Sequence, residues 1–218
     1  TYVFDQLEIS FSKDKKNLNL IPFGIKDIFN TKVLPTEMGS EIWKGFKSGN
    51  NARIVDEINQ AGGISFCKTT TAEFAVHYFE DNSTINPYNK DHITGTSSAG
   101  SAVAVSCGAL PISLATQTAG SIIRPSSFCG VFGFKPSFGA IDRTGVLKTN
   151  DTLDTIGLIG SNIDMIFKAF LNLYQNTNDY PMSHMYLSNY KKKNNEKPNI
   201  LFIDHQYDGF NDYEDYVK

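Results

Sequence analysis

ISLATQTAGSIIRP, residues 112–125, opens as a β-favouring apolar run, narrows to the small pair Ala119-Gly120 and reaches Ser121 just before a second apolar run. A linker would not need the strand-like lead-in, and a core strand would not need two small residues and a serine at its end. The stretch therefore predicts a buried strand, with 111–118 (PISLATQT) as its extent, that runs into a tight turn presenting Ser121. Just upstream, GTSSAGSAVAVSCGAL (95–110) passes from small residues into an Ala/Val-rich helix. A helix followed closely by a strand is the repeating unit of an α/β sheet.

The rest of the chain agrees. IPFGIKDIF (21–29) predicts a short strand, and NARIVDEINQAGG (51–63) an amphipathic helix with Ile54, Val55 and Ile58 inward, stopped by Gly62-Gly63. ISFCKT (64–69) follows as a strand, and VFGFKPS (131–137) reads as another. NIDMIFKAFLNLYQ (162–175) carries Ile163, Ile166, Phe167, Phe170, Leu171 and Tyr174 at helical spacing. KPNILFID (197–204) predicts a further buried strand, and NDYEDYVK (211–218) the first turns of a helix. The order of elements predicts an α/β fold with helices on both faces of a sheet.

The composition excludes several classes of function. With 218 residues, 40% hydrophobic and 20% charged, the chain suits one globular domain or a large piece of one. A net charge of −3 gives no basic footprint for nucleic acid. The basic run Lys191-Lys192-Lys193 lies in a polar stretch and reads as a solvated loop. No apolar run reaches the roughly 20 residues of a membrane helix. Cys67, Cys107 and Cys129 form no CxxC pair and sit beside apolar residues, so buried free thiols in a reducing, cytoplasmic setting are expected. No metal or organic cofactor is expected. Asn82-Ser83-Thr84 matches a glycosylation acceptor but reads as a plain loop. The first residue is Thr1 rather than Met, so the chain is expected to lack its true N-terminus.

A hydrolytic serine needs a base and a prepared site for an oxyanion. His77, His92, His184 and His205 lie in no triad context, and GxSxG is absent because Ala99 stands where its second glycine belongs. An SxxK match at Ser10–Lys13 has neither SDN nor KTG partners. Three other segments carry the chemistry. GIKD places Lys26 inside an apolar strand, a costly place for an ammonium unless it is paired or neutral. GTSSAGS is a Gly/Ser-rich turn at a helix start, and TQTAGS ends in Ser121 where small residues let backbone N–H groups approach a reacting carbonyl. Singly, each has a plain structural explanation: a lysine with a buried stem, a helix cap, a tight turn.

Together, GTSSAGSAVAVSCG, TQTAGSIIRPSSFCGVFGFKPSFG and RTGVLKTNDTLDTIGLIG resemble the amidase signature family, in its order and spacing, from Gly24 through at least Gly160. The resemblance implies a mixed sheet sandwiched between α-helices and cleavage of carboxylic amides by a Ser–cis-Ser–Lys triad. It places the nucleophile at Ser121, the bridging cis-serine at Ser97 and the base at Lys26. The backbone of Thr118, Ala119 and Gly120, with Ser121, falls in the family's oxyanion-hole region. The chain departs from the commonest pattern at Gln117 (usually Asp), at Ala119 (usually Gly), at Arg124 (shifted by one place), and at Thr96 and Ala99.

The implied partner is a small-molecule amide, with no nucleic acid and no membrane; a homodimer of the full-length protein is left open. Family members are about twice this length, so residues 1–218 are expected to form a single amidase domain truncated at both ends and inactive alone. Two alternatives stand beside a free amidase. One is the amide-hydrolysing component of a glutamyl-tRNA amidotransferase, its A-type polypeptide, which Gln117 and the SIIRP order resemble less. The other is an inactive truncated remnant, against which the intact Lys26, Ser97 and Ser121 argue.

Overall fold

The structure, a computed structural model, describes residues 18–76 and 84–174. The expected strand at 197–204, the helix at 211–218, the SxxK match, the lysine run, most of the Asn82–Thr84 site, and His77, His184 and His205 lie outside the described residues.

Five strands form one mixed sheet: β1 (Pro22–Lys26), β2 (Ile64–Thr69), β3 (Ile112–Gln117), β4 (Phe132–Phe134) and β5 (Thr155–Gly160), in the spatial order β2-β1-β3-β5-β4. β1 runs parallel to β2 and β3, while β5 is antiparallel to both β3 and β4. The helices are α1 (Arg53–Gln60), α2 (Ala99–Ser106), α3 (Ile123–Phe128) and α4 (Ile163–Leu173). This is the α/β sandwich the sequence predicts.

The connectivity explains why helices cover both faces. The chain steps from β1 through α1 to β2, then returns through α2 past β1 to β3. Right-handed crossovers in opposite directions put their helices on opposite sides of a sheet. Accordingly, α1 and α4 pack with Phe23, Ile25, Ile112, Leu114, Ile156 and Leu158 on one face. On the other face Ala102 and Val105 of α2 pack with Ala115, Ile122, Cys129 and Ile159. Side chains alternate along β3 and β5 as a pleated sheet requires, and each buried Ile or Leu contributes about 1.5–3 kcal/mol. The reversal of direction also creates a switch point between β1 and β3, the place where open α/β sheets leave a crevice beyond their strand ends. Lys26 closes β1 there, and Gln117 closes β3.

Two local expectations need correction. α4 buries Ile166 of its expected stripe, with Tyr174 buried just past its end, but Ile163, Phe167 and Leu171 are exposed. Those three recur every four residues, so they share one side of the helix, and that side faces away from the sheet. Of the cysteines only Cys129 is buried; Cys107 is exposed and Cys67 intermediate, and all three are free. Cys107 is the C-cap residue of α2, at the end of the helix, where its thiol is not enclosed. Among the described residues, no helix is long and apolar enough to cross a membrane.

Candidate active site

Lys26 lies at the carboxyl end of β1 with none of its surface exposed. Its Nζ donates to Ser97 Oγ at 2.7 Å and to Thr116 Oγ1 at 3.0 Å. Neither partner carries charge, so burial dominates and lowers the lysine from 10.5 to about 7, against a smaller opposing pull from Asp154. An amine poised near 7 can exchange a proton at neutral pH, which an exposed lysine does poorly.

Ser97 is fully enclosed in the turn that precedes α2, and the Thr96–Ser97 peptide is cis. Several contacts hold this turn. Gly95 has φ of +72°, and a Cβ there would come within 2.9 Å of Pro125 Cα, so a glycine is required. The Arg124 guanidinium donates to Thr96 O through Nη2 (2.8 Å) and Nε (3.2 Å). Ser98 Oγ donates to Thr116 O at 3.3 Å, and Ser101 Oγ to Leu114 O at 3.0 Å. The serines of GTSSAGS therefore have divided tasks: Ser98 and Ser101 tie the turn to β3, and Ser97 faces the lysine.

Ser121 follows β3 on a loop organised by Gln117. The buried Gln117 side chain donates from Nε2 to Ala119 O (2.9 Å) and accepts at Oε1 from the N–H groups of Ile122 (2.8 Å) and Ile123 (3.0 Å). One side chain thus brackets Ser121 on both sides. The N–H groups of Ala119, Gly120 and Ser121 form no hydrogen bond with any described residue. A Cβ on Gly120 would meet only Arg124 Cβ, at 3.9 Å, so this side of the loop is open. Ser97 and Ser121 line one cleft with Thr116, Thr118, Thr149 and Asp154, beside an apolar wall of Ile28, Val146, Leu147 and Ile156.

The structure thus brings Lys26, Ser97, Thr118 and Ser121 to one crevice, with Ala119 and Gly120 on the connecting loop. Lys26 and Ser97 are directly hydrogen-bonded; Ser121 makes no hydrogen bond to another described residue. His92, the one described histidine, is exposed and does not line the cleft. Sequence reasoning did not anticipate Asp154, which sits in the cleft wall and collects hydrogen bonds from Thr118, Thr149 and Asn150. The signal available was a carboxylate directly before a fully buried strand. Among the described residues, no cluster of three or more His, Cys, Asp or Glu is arranged to hold a metal.

Comparison with known proteins places this geometry in context. The Amidase family model matches residues 5–207. The chain is similar to the A-type polypeptide of the glutamyl-tRNA(Gln) amidotransferase of Clostridium botulinum (strain Okra / Type B1), 38% identical over 162 residues, covering 72% of this chain and 33% of that one. Its fold is similar to Kluyveromyces lactis allophanate hydrolase (TM-score 0.75, 28% identity, 81% of this chain and 30% of that one). It is also similar to the native peptide amidase of Stenotrophomonas maltophilia (TM-score 0.70, 29% identity, 75% and 35%). The chain spans about a third of the length of the curated relatives it matches.

Proposed function

The chain belongs to the amidase family, and we propose that it hydrolyses the C–N bond of a small carboxylic amide, with Ser121 as nucleophile, Ser97 as proton bridge and Lys26 as base. The observation that carries this reading is the buried lysine, lowered to about 7 and donating to Ser97 in the cleft that Ser121 lines.

In the proposed sequence, neutral Lys26 takes the Ser97 hydroxyl proton as Ser97 takes that of Ser121. Ser121 Oγ then bonds to the amide carbon, and the carbonyl oxygen becomes an oxyanion facing the open N–H groups of the 119–121 loop. The relay returns a proton to the departing nitrogen as the C–N bond breaks, leaving an ester on Ser121. Water, deprotonated by the same relay, releases the acid and restores Ser121. Each step uses groups that stand in the cleft before substrate arrives, which lowers the reorganisation needed during reaction.

A panel of small aliphatic and aryl amides, with ammonia or amine release as the readout on the full-length protein, tests the reading. Turnover that disappears in Ser121→Ala supports it; turnover that survives this change contradicts it.

A second reading is favoured by the similarity to the amidotransferase polypeptides. Here the same relay would hydrolyse the side-chain amide of glutamine and pass ammonia to a partner protein. Hydrolysis of glutamine in preference to every other amide in the panel distinguishes it from a free amidase.

A further inference from the structure

Asp154 has a part at this site that neither the motif nor the proposed relay assigns. It immediately precedes β5, and its Oδ1 accepts from Thr118 Oγ1 at 2.5 Å and from Thr149 Oγ1 at 2.9 Å. Its Oδ2 accepts from the backbone N–H groups of Thr149 (2.6 Å) and Asn150 (2.8 Å). Thr118 is the first residue beyond the β3 ladder, which ends at the Gln117–Thr155 pair, so its side chain stands where the strand becomes the Ser121 loop. Gln117 grips that loop from within, and Asp154 grips its root from the adjacent end of β5.

We propose that Asp154 is a positioning residue of the amidase site, anchoring the root of the Ser121 loop through Thr118 and holding a negative charge in the cleft that the Lys26-bonded Ser97 lines. The inference rests on the Lys26–Ser97–Ser121 reading. Asp154 suits this role because four donors hold its carboxylate ionised, below its usual range despite burial. Among the described residues, no charged group bonds to the lysine. Asp27, next in the chain, pairs with Lys68 of β2 at 3.1 Å. Arg143 forms an ion pair with Asp154 itself at 3.8 Å and donates to the carbonyls of Asn150 and Asp151, so the carboxylate is shared between the arginine and the cleft. β3 and the turn before α2 present only the hydroxyls of Thr116 and Ser97 to the lysine. Asp154 alone among these groups pulls the lysine toward its charged form, keeping it near 7 rather than lower still.

The test is the rate at which a fluorophosphonate labels Ser121 in the full-length protein, followed by peptide mass across pH. Wild type should gain reactivity as pH rises through about 7. Asp154→Asn should move this rise down by about one pH unit. Thr118→Val, which keeps the charge and removes the anchor, should slow labelling roughly tenfold or more without moving the rise. Thr118→Ser should restore the rate. An Asp154→Asn protein with the wild-type profile, or a Thr118→Val protein with the wild-type rate, overturns the proposal. If Asp154→Asn does not fold, the Thr118→Val and Thr118→Ser pair decides, since equal rates there also overturn it. A wild-type profile with no rise near 7 contradicts the lysine base itself, a distinguishable failure.

Discussion

Lys26 Nζ stands 2.7 Å from Ser97 Oγ at a point where the lysine has no solvent contact and no carboxylate bonded to it among the described residues. Such an arrangement stabilises the neutral amine, because nothing offsets the desolvation of the charge in full. Arginine in its place stays protonated, so Lys26→Arg should abolish amide turnover while leaving a folded protein. Near-normal kcat in that variant would contradict a lysine base.

The same burial makes a stability prediction with a defined sign. Lys26 titrates near 7 when folded and at 10.5 when exposed, so between those values the unfolded chain holds a proton that the folded chain lacks. Stability therefore rises with pH across that window, by about 1.4 kcal/mol per unit from this group. In Lys26→Met the rise is absent. The gap between variant and wild type in denaturant titrations should shift steadily in favour of wild type from pH 7 to 10.

Glu57 gives the opposite sign. Half-buried beside Arg53, its carboxyl is pushed up to about 7, chiefly by desolvation. The folded state then binds the extra proton between 4.5 and 7, and stability from this group falls as pH rises through that range. Glu57→Gln should gain in melting temperature relative to wild type between pH 5 and pH 8.

Gln117 makes three hydrogen bonds around Ser121, two of them to backbone N–H groups of the loop. Gln117→Ala leaves those N–H groups without their acceptor and should cost about 2–4 kcal/mol of stability. Gln117→Glu keeps the acceptor and loses the donor to Ala119 O, so it should fall between Ala and wild type. A thermal melt of both variants checks the order.

Gly100 lies where α2 meets the end of β2, and a Cβ there would collide with the Thr70 backbone and hydroxyl. Gly100→Ala should destabilise the protein by about 1–3 kcal/mol, as overpacking does. It should also displace Ser97, so chemical denaturation and labelling of Ser121 should both register it.

Much of this was legible in the sequence, and the exceptions have physical reasons. The α1 helix and strands β1, β2 and β3 declare themselves by periodicity and by glycine stops. Strand β5 does not: all six of its residues are buried, so it shows no alternation, and Gly157 and Gly160 dilute its β character. Gly157 is nonetheless required, because a Cβ there would run into the Phe134 carbonyl. Helix α3, six residues carrying Pro125 in its first turn, is too short for a periodic signal. Motif and chemistry together pick out Lys26, Ser97 and Ser121. The loop bracket of Gln117 is local but aperiodic, set by where one side chain folds back on its own turn, and the anchor of Asp154 joins residues 36 apart in the chain, which no local pattern encodes.

The nucleophile is the centre of the proposed chemistry, and covalent labelling tests it most directly. The full-length protein treated with a fluorophosphonate and mapped by peptide mass should carry the adduct on Ser121, the one cleft serine beside the open N–H groups of the loop. An adduct on Ser97, Ser98 or Ser101 with Ser121 unmodified would contradict it.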